Sequence, residues 1–199
     1  MLNRHSGASW AFSQGNRNVT VIKNWSSRKG SPTADKISSC IAYRNGRLDA
    51  WGGMVKRYDP GTVQVKWIKL LLDPQYSVKT IIAAESAQLL KTMRKSPERA
   101  VADYLEAFWA FVRDQIAKSI GEDFEDIYTI RIVLTCPAIW SPRAKDTTKN
   151  AARLAKMPDT IQLVSEPEAA TLAVLHEHND RDLLTVSCLM MNWTRCHAD

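Results

Sequence analysis

Two charged side chains stand where the apolar pattern would otherwise hide them. Lys69 lies inside VKWIKLLLD, and Glu166 lies at the joint of LVSEPEAATLAVL, between a β-like apolar run and a helical one. An ammonium withdrawn from water without a partner is strongly unfavourable, so Lys69 needs an anion or an exit. The anion could be a ligand, or Asp73 four positions on if the segment is helical. The exit would lay the lysine stem over Trp67 and Leu71 with its head in water. A carboxylate such as Glu166, at the mouth of a sheet beside the donor-rich start of a helix, can hold a metal-bound water or accept a proton during phosphoryl transfer. It can equally serve the helix, with Ser165 capping and Glu166 and Glu168 facing the positive end of the dipole.

The commoner catalytic motifs are missing. No GxxxxGK[ST] loop, GxGxxG turn, GxSxG elbow or HExxH occurs. Cysteines 40, 136, 188 and 196 form no CxxC pair. They read as thiols rather than as a disulfide framework, and no metal site is assigned to them. No run approaches a membrane-spanning length, and MLNRHSGASW lacks the order of a secretory signal, so the expected location is cytoplasmic or nuclear, with no membrane partner.

The 199 residues are 45% hydrophobic and 24% charged, which suits a folded domain. The net charge of +6 is uneven, since residues 1–72 carry 12 Lys/Arg against 3 Asp/Glu. Such a front could attract nucleic acid, with the tryptophans at 10, 25, 51 and 67 stacking on bases. The basic residues are scattered singly, however, and alternation within strands favours tryptophans in the core, so nucleic acid is the less favoured partner.

The elements that must position Lys69 and Glu166 follow from the pattern. ASWAF and VTVIKNW read as one hairpin, and KISSCIAYRNGRLDAWGGMV as a second with its turn at Asn45-Gly46. Residues 77–95 read as a helix with Ile82, Leu89, Leu90 and Met93 near one face. Ser96 and Pro97 open a long amphipathic helix that carries Val101, Leu105, Phe108, Val112, Ile116 and Ile120 and stops at Gly121. IYTIRIVLTC is then a strand closed by Pro137, SPRAKDTTKNAARLAKM a helix, TIQLVS a strand, EPEAATLAVL a helix, and LLTVSCLM a last strand. Strand and helix alternation predicts an α/β fold with parallel pairing and right-handed crossovers. Glu166 and the Pro137 turn would lie together at the carboxyl edge of that sheet, where ligands bind in open sheets of this type.

Several stretches resemble one family, the ATPase domain of heat-shock protein 70 in the actin-like ATPase superfamily. VLTCPAIWSPRAKDTTKNAARLA is similar to that family's strand, proline turn and helix around VTVPAYF, and LVSEPEAATLAVL to its NEPTAAA segment. SGASWAF, VTVIKNW, KISSCIAY, DAWGGMVKR and WIKLLLDP resemble its earlier strands and lysine segment. The resemblance implies an actin-like ATPase (ribonuclease H-like) lobe over residues 1–188, with a mixed sheet. Antiparallel hairpins would fill about 6–72, helices about 75–121 and a parallel βαβαβ half about 127–188, leaving 189–199 as an unmatched tail. It implies ATP and magnesium as cofactors and polypeptide clients or co-chaperones as partners. By the same resemblance Lys69 would reach the phosphates and orient attacking water, and Glu166 would belong to the polar shell near magnesium. Pro137 would be the switch proline linking nucleotide state to lobe movement, and Lys145 its basic partner.

Two of that family's Gly-rich phosphate loops, Asp-x-Gly-Thr-Thr and Asp-x-Gly-Gly-Gly-Thr, have no counterpart here; the matching places read MLNRH and LMMNWTRCHAD. Loops of that kind cradle phosphate through backbone N–H groups. The expectation is therefore a truncated first lobe, inactive or weak as an ATPase by itself. The alternative is a non-enzymatic half-domain that binds protein or associates with itself through surface left uncovered.

Overall fold

The computed structural model describes residues 5–13, 19–25, 35–77 and 80–178. Its front is antiparallel. β1 (His5–Ser6), β2 (Ser9–Trp10), β3 (Thr20–Val21) and β4 (Ile37–Ser38) are short, with β1 paired to β4 and β2 to β3. β5 (Cys40–Arg44) is the centre of a three-stranded sheet between β6 (Arg47–Trp51) and β7 (Thr62–Lys66). Asn45 and Gly46 turn the β5–β6 hairpin at φ 52° and 75°, the two positive values such a turn requires. Gly52, at φ 57°, has a second reason to lack a side chain: a Cβ there would stand 2.3 Å from Cδ1 of buried Ile37.

After β7 the chain reverses at Trp67, whose φ of 54° lies in the left-handed region, and enters a 3-10 turn over Ile68–Leu72. α1 (Pro74–Ser77), α2 (Ile81–Thr92), α3 (Pro97–Ile120) and α4 (Phe124–Ile127) follow. Ser96 caps α3 by accepting from Arg99 N, and Gly121 ends it at φ 110°. The back is β8 (Ile132–Cys136), α5 (Pro142–Leu154), β9 (Ile161–Ser165) and α6 (Glu166–His178). Ser141 caps α5 by accepting from Ala144 N. β8 and β9 run parallel, so the chain is an α/β protein with an antiparallel front and a parallel back. No helix among the described residues is long and apolar enough to cross a membrane.

α3 holds the halves together, packing on β6, on the 3-10 turn and on α5. Its Phe108 and Phe111 stack on Trp25 at 5.0 and 5.1 Å, and Trp51 meets Tyr104, Phe108 and Phe111 edge-on. Such pairs add to the area they bury. Trp25 is buried, and Trp10, Trp51 and Trp67 pack partly buried against the core. These rings are hydrophobic mass rather than a stacking platform.

Two expectations need correction. The strands do not form one mixed sheet: the described residues hold four small ones, and α3 and the 3-10 turn connect the three-stranded sheet to α5 beside the parallel pair. The expected last strand, LLTVSCLM, lies outside the described residues. The inward face of α2 is also rotated. It buries Ala83, Ser86 and Leu90 and leaves Ile82 exposed. Ser86 Oγ accepts from the backbone N–H of Lys66 at 3.1 Å, so an amide at the end of β7 draws a polar residue inward.

Candidate functional site

The parallel register decides what meets at the sheet's carboxyl edge. Cys136 lies opposite Ser165, so β8 and β9 end level and their next residues, Pro137 and Glu166, emerge side by side. Pro137 O accepts from Trp140 N at 3.2 Å, and this tight turn tucks the indole inward before Ser141 starts α5. From the opposite direction comes the 3-10 turn. Ile68, Leu70, Leu71 and Leu72 are all buried, which leaves Lys69 as the one residue of the turn with access to water.

Lys69 and Glu166, 97 residues apart, meet there: Nζ donates to Oε1 at 2.5 Å. Their side chains are 25% and 34% exposed, intermediate between a surface pair and a buried one. The Lys69 ammonium also sits 5.8 Å from the centre of the Trp140 ring, within cation–π range. Lys69 thus neither runs out to solvent nor pairs with Asp73. Asp73 is itself buried and occupied, its Oδ1 accepting from Gln75 N at 3.1 Å and its Oδ2 from Ser141 N at 3.5 Å. It ties the end of the 3-10 turn to the start of α5, which sets Lys69 against Trp140.

The two roles open to the Glu-Pro-Glu joint are divided between its carboxylates. Glu168 does the helix work, since its N–H donates to Ser165 Oγ at 3.3 Å while its Oε2 accepts from Ser165 N at 3.4 Å, a reciprocal capping box. Glu166 is left to face Lys69. Cys136, at the end of β8, lies within the electrostatic reach of the same groups. Burial pushes its thiol pKa up; Lys145 and Lys69 pull it down by less and Glu166 adds to the rise. Burial thus disfavours the thiolate that a cysteine nucleophile requires. Lys145 sits in the first turn of α5, half-buried, and makes no ion pair among the described residues. The structure thus brings Lys69 and Glu166 into contact and sets Pro137 beside them, with Lys145 near Cys136.

Trp140 and Cys136 belong to this neighbourhood although only their place in strand and turn hinted at it. A cavity of about 330 Å3 lies elsewhere, on β5–β7, lined by Arg44, Asp49, Lys56 and Asp59 among others. Arg44 and Lys56 are already paired there with Asp49 and Asp59, so it offers no uncommitted charge.

No protein-family model matches the chain. Chaperone protein DnaK of Mycoplasmopsis synoviae (strain 53) is 24% identical over 157 residues, which cover 79% of this chain and 22% of that relative. The relation to heat-shock protein 70 is distant. The chain spans less than a quarter of the relative's length.

The donor set can be tested for a magnesium–phosphate group on its own chemistry. No cluster of three or more His, Cys, Asp or Glu suited to a metal occurs among the described residues. Among the described residues Glu166 supplies one carboxylate with an oxygen that takes no hydrogen bond, and Lys69 one ammonium with donors to spare. Magnesium bound with nucleotide often uses only one or two protein carboxylates, the rest of its shell being phosphate and water. The pair fits that group and does not fit a dedicated metal cage.

Proposed function

We propose that this chain is a heat-shock-protein-70-like nucleotide-binding lobe whose ligand is ATP with magnesium. The observation that carries the reading is the contact between Lys69 and Glu166 at the carboxyl edge of the β8–β9 pair. Magnesium, when bound, would neutralise phosphate charge and polarise the transferred group. Lys69 would donate to a phosphate oxygen and to the attacking water. Glu166 would accept from water in the magnesium shell. Pro137, at the turn next to Glu166, and Lys145 on α5 would pass a change in the site to α5, and clients or co-chaperones would read that change on the assembled protein.

With no Gly-rich phosphate loop, the chain should bind ATP weakly and turn it over negligibly by itself. The test is calorimetric titration with ATP and magnesium, together with a steady-state phosphate-release assay. Binding that is lost in Lys69→Met, with turnover at background, supports the reading. Undiminished binding in Lys69→Met contradicts it, and magnesium-dependent turnover that disappears in Lys69→Ala contradicts the expected inactivity.

A second reading, a non-enzymatic lobe that associates with itself or another protein, has its own support. Val133 on β8 is 57% exposed and Ile139 in the following turn 68%, although strands of parallel pairs are usually covered on both faces. Light scattering over a concentration series tests it; a mass fixed at one chain throughout contradicts self-association.

A further inference from the structure

We infer that the Lys69–Glu166 pair is a removable counter-charge, so that the site admits a divalent cation and a phosphate group together and resists either one alone. The inference rests on the nucleotide reading for the class of ligand and adds a rule of entry. Each partner already holds the opposite charge, at 2.5 Å and partly withdrawn from water. A free phosphate must take Lys69 from Glu166, which leaves a carboxylate facing the incoming anion. A free cation must take Glu166 from Lys69, which leaves an ammonium facing the incoming cation. Like charges brought this close in a partly desolvated place repel strongly. A cation and a phosphate arriving together take one partner each and leave no charge unmatched.

The surroundings make the exchange local. Asp73 is engaged elsewhere, its oxygens accepting from Gln75 N and Ser141 N rather than from Lys69. The ring of Trp140 lies 5.8 Å from the ammonium, and a quarter of the Lys69 side chain stays in water. Glu168 is turned to the capping box on Ser165 and not to Lys69. The indole N–H of Trp140 is buried with no partner among the described residues, and the part of the signal from the seven tryptophans that is lost in Trp140→Phe reports inside the site.

The experiment titrates the chain with magnesium chloride alone, inorganic triphosphate alone and the two together, read by calorimetry and by tryptophan fluorescence. Wild type is expected to bind the mixture at least about tenfold more tightly than either component. In Glu166→Gln and Glu166→Ala, triphosphate alone should gain about tenfold and added magnesium should no longer help. In Lys69→Met, magnesium alone should gain. Circular dichroism verifies that each variant is folded, and two variants at Glu166 guard against an effect of the new side chain.

If free triphosphate binds both Glu166 variants no better than wild type, the counter-charge idea is overturned. A wild type that takes triphosphate equally well with and without magnesium overturns it too. Failure of the nucleotide reading looks different. ATP with magnesium would then bind wild type no better than triphosphate with magnesium, while the gain in the Glu166 variants persists and upholds the counter-charge. Tight binding of ATP with magnesium, without that gain, leaves the nucleotide reading standing and removes the counter-charge.

Discussion

Asp103 and Glu166 are both carboxylates held by basic side chains, and the difference between their surroundings separates a structural ion from a candidate working one. Asp103, buried on α3, has both oxygens occupied: Oδ2 accepts from Tyr43 OH at 2.7 Å and from Lys95 Nζ at 2.9 Å, and Oδ1 from Arg99 Nε at 2.8 Å. Lys95 also sits 4.6 Å from the centre of the Tyr43 ring. Nothing in this network is open to a ligand, and it joins β5, the approach to α3 and α3 itself. Among the described residues Glu166 has one partner and a spare oxygen, and a third of its side chain is in water. A saturated carboxylate rigidifies its surroundings, whereas an unsaturated one at an opening can exchange partners.

That contrast is most severely tested at Asp103. Asp103→Ala leaves a phenol and an ammonium without their acceptor and should cost about 3–5 kcal/mol in a urea-unfolding measurement. A loss below about 1 kcal/mol would show that the network contributes far less than its geometry implies.

A smaller effect is expected one residue along. The Tyr104 hydroxyl is buried beside Ser6 and Ser39, whose hydroxyls bond each other at 2.8 Å, and it has no partner of its own among the described residues. Burial is the largest cause of its pKa being pushed up to about 12 from 10.0. Because the folded state resists ionisation, its contribution is fully present below pH 10 and is lost as pH rises toward 12. Unfolding free energy should fall by about 2 kcal/mol across that window through this group, and Tyr104→Phe should flatten that part of the profile.

The two glutamates of the joint complete the ranking. Ser165→Ala breaks the capping box and should cost about 1 kcal/mol. Glu166→Gln should cost less, under about 1 kcal/mol, since a lysine that is already a quarter exposed can turn to water. If Glu166→Gln is the more damaging of the two, Glu166 is a structural ion like Asp103 and the contrast fails.

Much of the frame was legible in the sequence because it depends on neighbours. Asn45-Gly46 dictates its hairpin, Ser96-Pro97 and Ser141-Pro142 start their helices, and the alternation after Gly121 gives β8, α5, β9 and α6. The partner of Lys69 was not legible in its local pattern. Asp73 stood four residues away and solvent was an alternative, while Glu166 lies 97 residues on. The two meet only because β8 and β9 end in register and Asp73 fixes the 3-10 turn to α5. Resemblance to a family put both residues near one ligand, and the fold puts them in contact. Asp103 was missed for a similar reason. Its bond to Arg99 has ordinary helix spacing, but the Tyr43 hydroxyl that makes it a hub comes from 60 residues earlier. The largest apolar residues of α2 suggest one inward face, whereas a hydrogen bond through Ser86 turns a different face inward.

The central claim is that Lys69 leaves Glu166 for a phosphate oxygen when ATP and magnesium bind. The most direct measurement is the ammonium resonance of Lys69 in proton–nitrogen spectra, assigned by its absence in Lys69→Arg and followed through a titration with ATP and magnesium. This resonance is expected to shift along the same saturation curve that calorimetry reports. A Lys69 resonance that stays in place while the protein saturates would contradict it.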